Sequence, residues 1–442
     1  MPVFRPGELS QWVSRLWKNG MPDQLVTGIS HDTRTLKPGD LYVAIRGDQF
    51  DGHAFVRAAF EKGAVGALVD ERFGWCEHPV LTVHDTVKGL WDLASGYRKK
   101  WVASPVGITG SVGKTTVKEM CADVLSMEGE THRTAGNYNN HIGLPLTMLA
   151  TPETARFGVF EIGMNRPGEI AALTDLLRPK VGIITEICEA HRENFSSFEA
   201  IAREKMKLVE RVSPAGTVIL DRDSEWYAMM RGGTRASVVT VSFEGVADYV
   251  GRAEGDRVLN VNGFAFQMPQ PGEHMMRDAL RAIALGMELK MDSAAIAEGL
   301  LKFNAPPMRW EESEVEGVAF VNDAYNANPL SMRAGLRTFA NTPGAGKKFA
   351  VLGGMRELGD VTEAEHAALG AFIDELGLDG VITVGELGKQ IACSGPQAFF
   401  HAADAAEAAR ILKDHLAAGD RVLLKASRGE RLEEVLTSFK EI

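Results

Sequence analysis

Residues 109–116 read Thr-Gly-Ser-Val-Gly-Lys-Thr-Thr, directly after the apolar run 105–108 and directly before a helical pattern that opens at Val117. A strand, a glycine-rich turn and a helix in that order aim backbone N–H groups at one point before a helix N-terminus, a ready site for a polyphosphate. Gly110, Ser111, Val112, Gly113, Lys114, Thr115 and Thr116 are therefore the candidate nucleotide cradle. The glycines let the backbone approach, Lys114 neutralises β/γ charge, and Thr115 can place its hydroxyl on Mg²⁺. The pattern is a variant, because Ile108 stands where the first glycine of G-x-x-x-x-G-K-[ST] would fall, and the glycines at hand are Gly107 and Gly110. A bare Gly-Lys-Thr in a glycine-rich chain can arise by chance; the flanking strand and helix argue instead for ATP or GTP chemistry.

A chain of 442 residues that is 45% hydrophobic can bury more than one core, and its length suggests about three domains. Short strands at 41–45 and 64–69, joined by turn-rich segments, predict a small N-terminal α/β module over 1–100. Strands at 106–109, 157–162, 181–187 and 216–220 alternate with helices and predict a central, mostly parallel sheet of the P-loop ATPase type over 101–310. After Pro306-Pro307 a second doubly wound, Rossmann-like pattern covers 311–442, with strands at 319–322, 348–352, 380–384 and 421–425. Its Gly353-Gly354 pair lacks G-x-G-x-x-G and reads as a strand-to-helix turn rather than a nicotinamide or flavin site.

Charge and cysteines narrow the function classes. With 48 basic against 59 acidic residues the formal charge is −11, which argues against nucleic acid or an anionic membrane surface as the main partner. Cys76, Cys121, Cys188 and Cys393 form no C-x-x-C pair, so neither a disulfide framework nor a zinc knuckle is expected. The first residues mix Arg5, Glu8, Arg15 and Lys18 into their apolar positions, and no stretch reaches about twenty apolar residues. The expectation is a cytoplasmic protein without membrane insertion.

Ligand groups gather at the carboxyl ends of parallel strands. Glu161 ends one strand, His191 follows another, and Lys205 lies on the next helix. Glu161 is most simply a ligand of Mg²⁺, a hard cation that wants oxygen; the competing reading is a solvated strand end. Taken alone, His191 reads more readily as a surface or structural histidine than as a ligand, and Lys205 as a solvated surface lysine.

Longer strings carry a resemblance. Gly136-Asn137-Tyr138-Asn139-Asn140-His141-Ile142-Gly143, Glu161-Ile162-Gly163-Met164-Asn165, Ala190-His191 with Ile201-Ala202-Arg203-Glu204-Lys205, Asn322-Asp323-Ala324-Tyr325-Asn326-Ala327-Asn328-Pro329 and Lys425-Ala426-Ser427-Arg428-Gly429 together make the chain similar, over essentially its whole length, to the Mur ligase family. Within that family the Asn-Tyr-Asn-Asn and Tyr-Asn-Ala-Asn-Pro strings resemble the branch that adds D-alanyl-D-alanine to a UDP-N-acetylmuramoyl tripeptide.

The resemblance implies ATP-dependent amide synthesis through an acyl phosphate, with Lys114, Lys205 and His191 as catalytic groups and a monomeric enzyme. It implies one Mg²⁺ on Thr115 and Glu161, and a second metal served by His191 and a carbamylated Lys205. Such a lysine must be buried, because an exposed amine near pKa 10.4 stays protonated and does not add CO₂. Arg309 and Asp323 resemble contacts to the phosphates and ribose. Thr33, Arg34, Asp51 and His53 lie in segments like those that hold the UDP end. Asn139, Asn140, Asn326, Lys425, Ser427 and Arg428 match positions facing substrate. Met275 and Asp278 stand where the family usually carries asparagines, one of them an adenine contact, Gly354 replaces an aspartate, and Met308 a glycine. These departures leave two alternatives open: another Mur-type or folylpolyglutamate-type ligase, or a non-catalytic sensor of nucleotide and UDP-peptide.

Overall fold

The computed structural model describes residues 2–47, 49–189 and 192–442, so His191 lies outside the described residues. Three sheets organise the chain. Strands β1 (Trp17–Lys18), β2 (Gly28–Ser30), β3 (Asp40–Val43), β4 (Gly66–Asp70) and β5 (Val80–Val83) form the first, in the order β1-β5-β4-β3-β2, with only β1 antiparallel to its neighbour.

The second sheet holds β6 (Ser104–Thr109), β7 (Thr131–Arg133), β8 (Phe157–Glu161), β9 (Val181–Ile184), β10 (Thr217–Asp221), β11 (Ser237–Ser242), β12 (Tyr249–Ala253), β13 (Val258–Val261) and β14 (Phe264–Gln267). Its order is β14-β13-β12-β11-β10-β9-β6-β8-β7, parallel from β7 to β12 and antiparallel over the last two pairs. From β6 the chain runs outward to β7, returns to β8 beside β6, and crosses to β9 on the other side. That reversal opens a crevice beyond the carboxyl ends of β6, β8 and β9.

The third sheet holds β15 (Glu311–Val315), β16 (Val318–Asn322), β17 (Lys348–Leu352), β18 (Gly380–Val384), β19 (Ala398–Ala402) and β20 (Arg421–Lys425), in the order β15-β16-β20-β17-β18-β19, parallel but for β15. The expected three-part α/β architecture is present, with mostly parallel sheets as the alternating pattern requires. Two differences stand out. The strand expected over 181–187 stops at Ile184, because Thr185 turns to the phosphate loop: its N–H donates to the Thr109 carbonyl at 2.8 Å and its Oγ1 to the Val112 carbonyl at 2.6 Å. Strands β11 to β14 of the second sheet were not anticipated.

The helix Lys114–Ser126 follows the loop and packs against the helix Glu273–Glu288, whose Met275, Met276, Ala279, Leu280 and Ile283 are buried in the same apolar cluster. The first sheet is fastened to the second by hydrogen bonds from Tyr97 Oη to the Thr151 carbonyl (2.6 Å) and from Trp91 Nε1 to the His141 carbonyl (2.7 Å). Among the described residues no helix is long and apolar enough to cross a membrane.

Candidate functional site

The glycine-rich segment closes the end of β6 as its composition requires. Gly113 has φ +83° and precedes the helix Lys114–Ser126; that left-handed conformation suits a residue without a Cβ. The Ser111 and Val112 N–H groups both donate to the Glu186 carbonyl, at 2.7 and 3.2 Å, and Ser111 Oγ donates to the Cys188 carbonyl at 2.8 Å.

Two lysine side chains share this turn. Lys114 Nζ donates to the Gly110 and Ser111 carbonyls at 2.9 and 3.1 Å, and Lys205 Nζ reaches the same Gly110 carbonyl at 2.7 Å from the helix Phe198–Arg211. Burial lowers the pKa of both, and the charge of Lys114 lowers Lys205 further, well below the ordinary lysine value. Lys205 is thus not the solvated surface lysine that its helical position alone suggested.

Glu161 stands at the carboxyl end of β8, buried. Its Oε2 accepts from Thr115 Oγ1 at 2.9 Å and its Oε1 from Asn139 Nδ2 at 2.8 Å, while its N–H donates to Thr134 Oγ1 at 3.0 Å. Lys118, fully buried one turn after Lys114, donates to the Thr134 carbonyl at 2.7 Å and so supports the strand end behind Glu161. The Glu161 carboxylate and the Thr115 hydroxyl are two oxygen donors within reach of one hard cation, which would complete its shell with water. Among the described residues no group of three His, Cys, Asp or Glu side chains stands ready for a metal.

The third sheet closes the crevice. Arg309 lies over the Tyr325 ring, 4.3 Å from its centroid, and donates from Nη2 to Thr115 Oγ1 at 3.2 Å. Asp323, just beyond β16, accepts from Lys425 Nζ at 2.5 Å, and Lys425 ends β20. One cavity of about 1020 Å³ is lined by Ser111 to Thr116, Asn139, Asn140, Glu161, Lys205, Arg309, Asp323, Asn326 and Lys425.

Other expected residues lie elsewhere. Ser427 is buried in a turn, accepting from the Arg356 N–H at 2.9 Å, and Arg428 pairs with Glu433 at 2.8 Å. Asn140 lines the cavity, but its Oδ1 already accepts from the Ile142 and Gly143 N–H groups at 3.0 and 2.9 Å. Thr33, Arg34, Asp51 and His53 lie in the segments that connect the strands of the first sheet and do not line the cavity. Arg34 extends into solvent, its side chain 87% exposed, and pairs with Asp32. The Thr33 carbonyl accepts from Lys62 Nζ at 2.7 Å. His53 is buried, Nδ1 at 2.7 Å from Asp51 and Nε2 accepting from the Asp70 N–H at 2.9 Å.

Sequence reasoning missed a polar group beneath the phosphate loop. Arg281, 1% exposed, donates to Asp221 Oδ2 at 2.8 Å, to the Ile184 carbonyl at 3.1 Å and to the Arg277 carbonyl at 2.7 Å. It ties β9, β10 and the helix Glu273–Glu288 together. A charged residue on the apolar face of an amphipathic helix was the available signal.

Comparison with known proteins follows the same three parts. Residues 25–85 match the model "Mur ligase family, catalytic domain", residues 108–286 the "Mur ligase middle domain", and residues 308–428 the "Mur ligase, glutamate ligase domain". The chain is 35% identical over 431 residues to the UDP-N-acetylmuramoyl-tripeptide–D-alanyl-D-alanine ligase of Bacillus subtilis (strain 168), covering 94% of each. Its structure is similar to a crystal structure of MurF from Acinetobacter baumannii, at TM-score 0.91 and 28% identity with both chains fully covered. It is also similar to the MurF ligase of Thermotoga maritima in complex with ADP, at TM-score 0.84 and 27% identity, over 94% of this chain and 97% of that one. Matched in all three parts and over nearly its full length, the chain belongs to the Mur ligase family.

Proposed function

We propose that this protein joins D-alanyl-D-alanine to UDP-N-acetylmuramoyl tripeptide, converting ATP to ADP and phosphate, in the synthesis of peptidoglycan precursors. The observation that carries this reading is the convergence of Lys114, Thr115 and Glu161 from the second sheet with Arg309, Asp323 and Lys425 from the third on one cavity. A carboxylate is a poor electrophile. Its oxygen attacks the γ-phosphorus and ADP departs; the dipeptide amine then attacks the acyl carbon, phosphate leaves, and the amine loses a proton. Bringing a carboxylate to a triphosphate sets anion against anion, and Lys114 and Arg309 offset that repulsion.

Thr115 and Glu161 would hold Mg²⁺, with Asn139 orienting the carboxylate. When bound, that ion supplies charge neutralisation at the phosphates. Lys205 meets the condition for carbamylation, since burial and Lys114 favour its neutral amine; the carbamate would add an anionic oxygen for a second metal, with His191 as the expected companion. Asp323 suits the ribose hydroxyls, and Asn326 and Lys425 the reacting groups. We assign 101–310 to nucleotide binding, 311–442 to closure over it, and 1–100, with Thr33, Arg34, Asp51 and His53, to the UDP end. A cytoplasmic monomer suits an enzyme that draws on ATP and a UDP-linked precursor.

Phosphate release with ATP and Mg²⁺ tests the reading. Release that requires UDP-muramoyl tripeptide and D-alanyl-D-alanine together supports the ligase; none with both present, while the UDP-peptide still binds, favours a sensor. Lys205→Ala is expected to lower turnover about 10–100-fold, with partial recovery on adding a short carboxylic acid. Equal rates with and without the acid would remove the carbamate from the account.

A further inference from the structure

Asp278 projects from the helix Glu273–Glu288 against the phosphate loop. Its carboxylate lies so close to Gly113 that a Cβ there would stand 2.4 Å from Oδ1 and 2.8 Å from Oδ2. The residue is 8% exposed and lines the cavity. Among the described residues its oxygens accept no hydrogen bond, since Arg281, the nearest cation on its own helix, is committed to Asp221 and two carbonyls. This is an anionic group placed where the loop is built to receive another anion.

The charges around it are few. Cys121 faces it from the helix Lys114–Ser126, Glu186 from the segment after β9, Arg281 from its own helix and Arg309 from the third sheet. Around Glu186 stand Arg281, Asp221, Arg277 and Asp223. His274, on the same helix, is held toward its neutral form by burial. Burial dominates at Asp278 and pushes its carboxyl up to about 7, with Glu186 adding in the same direction and the two arginines opposing.

We propose that Asp278 must hold a proton for a nucleotide to occupy the phosphate loop, so that nucleotide binding by this chain is coupled to proton uptake at that carboxyl. The proposal rests on the nucleotide reading given above. Phosphates seated at Gly113 bring several negative charges within a few ångströms of the carboxylate, at a site already poor in water. Like charge favours protonation, as burial does. The protonated acid can also donate a hydrogen bond to a phosphate oxygen, which the carboxylate cannot.

The test is calorimetry of ADP binding with Mg²⁺ at pH 8, in buffers of different ionisation enthalpy. The free carboxyl is then only about one-tenth protonated, so wild type is expected to take up most of one proton per ADP, and its Kd to rise about tenfold per pH unit above neutrality. Asp278→Asn, nearly isosteric, is expected to abolish the uptake and flatten that slope, while Glu186→Gln retains both. Equal uptake in Asp278→Asn and wild type would overturn the proposal. ADP failing to bind wild type at any pH would overturn the nucleotide reading itself and this proposal with it.

Discussion

Lys114→Ala is expected to lower turnover about 10²–10³-fold while leaving the affinity for UDP-muramoyl tripeptide within about threefold of wild type. Removing one preorganised charge from a transition state of this type costs roughly 3–4 kcal/mol, and Lys114 is the loop's own cation, held by the Gly110 and Ser111 carbonyls rather than by a carboxylate. Its charge is therefore available for phosphate. The residues assigned to the UDP end lie elsewhere, in the segments that connect the strands of the first sheet. Single-turnover phosphate release, with UDP-peptide binding measured separately, checks both halves. Parallel loss of the two would mean that the division of labour between the sheets is wrong.

Arg281→Ala is expected to destabilise the fold by about 3–5 kcal/mol, the range for breaking a buried ion pair by removing one partner. Asp221 would be left without its counter-charge, and the side-chain bonds to the Ile184 and Arg277 carbonyls would be lost. The nearby acids Glu186 and Asp278 both feel Arg281 as the attraction that lowers their pKa. Without it their anions cost more, so the loss is expected to grow as pH rises from 6 to 8. Urea unfolding at the two pH values measures this. Arg281→Lys keeps the charge but not the fork that spans three acceptors, and is expected to recover only part of the stability.

The phosphate loop was legible because its chemistry is local: glycine, lysine and threonine at fixed spacing between a strand and a helix. The parallel strands β17, β18 and β20 were equally plain as short apolar runs. The hairpin of β13 and β14 was passed over although Asn262-Gly263, with φ +50° and +94°, is a recognised turn signal; its strands are only four residues each. The burial of Lys118, Arg281 and Asp278 was harder to read for a different reason. Each is polar, each lies on a helix, and only contacts from other elements bury it. Lys205 became a site residue by resemblance alone, and its depressed pKa depends on burial by other elements and on the charge of Lys114, far away along the chain.

Among the described residues, Arg309 is joined to the phosphate loop by a single charged hydrogen bond, to the Thr115 hydroxyl. A bond of that kind is worth about 1.5–3 kcal/mol, enough to slow separation of the third sheet from the second roughly 10–100-fold and no more. It is a latch rather than a weld. A molecule that must admit two bulky substrates and discharge three products in each cycle gains from a closure that reports on the loop yet yields on the timescale of catalysis.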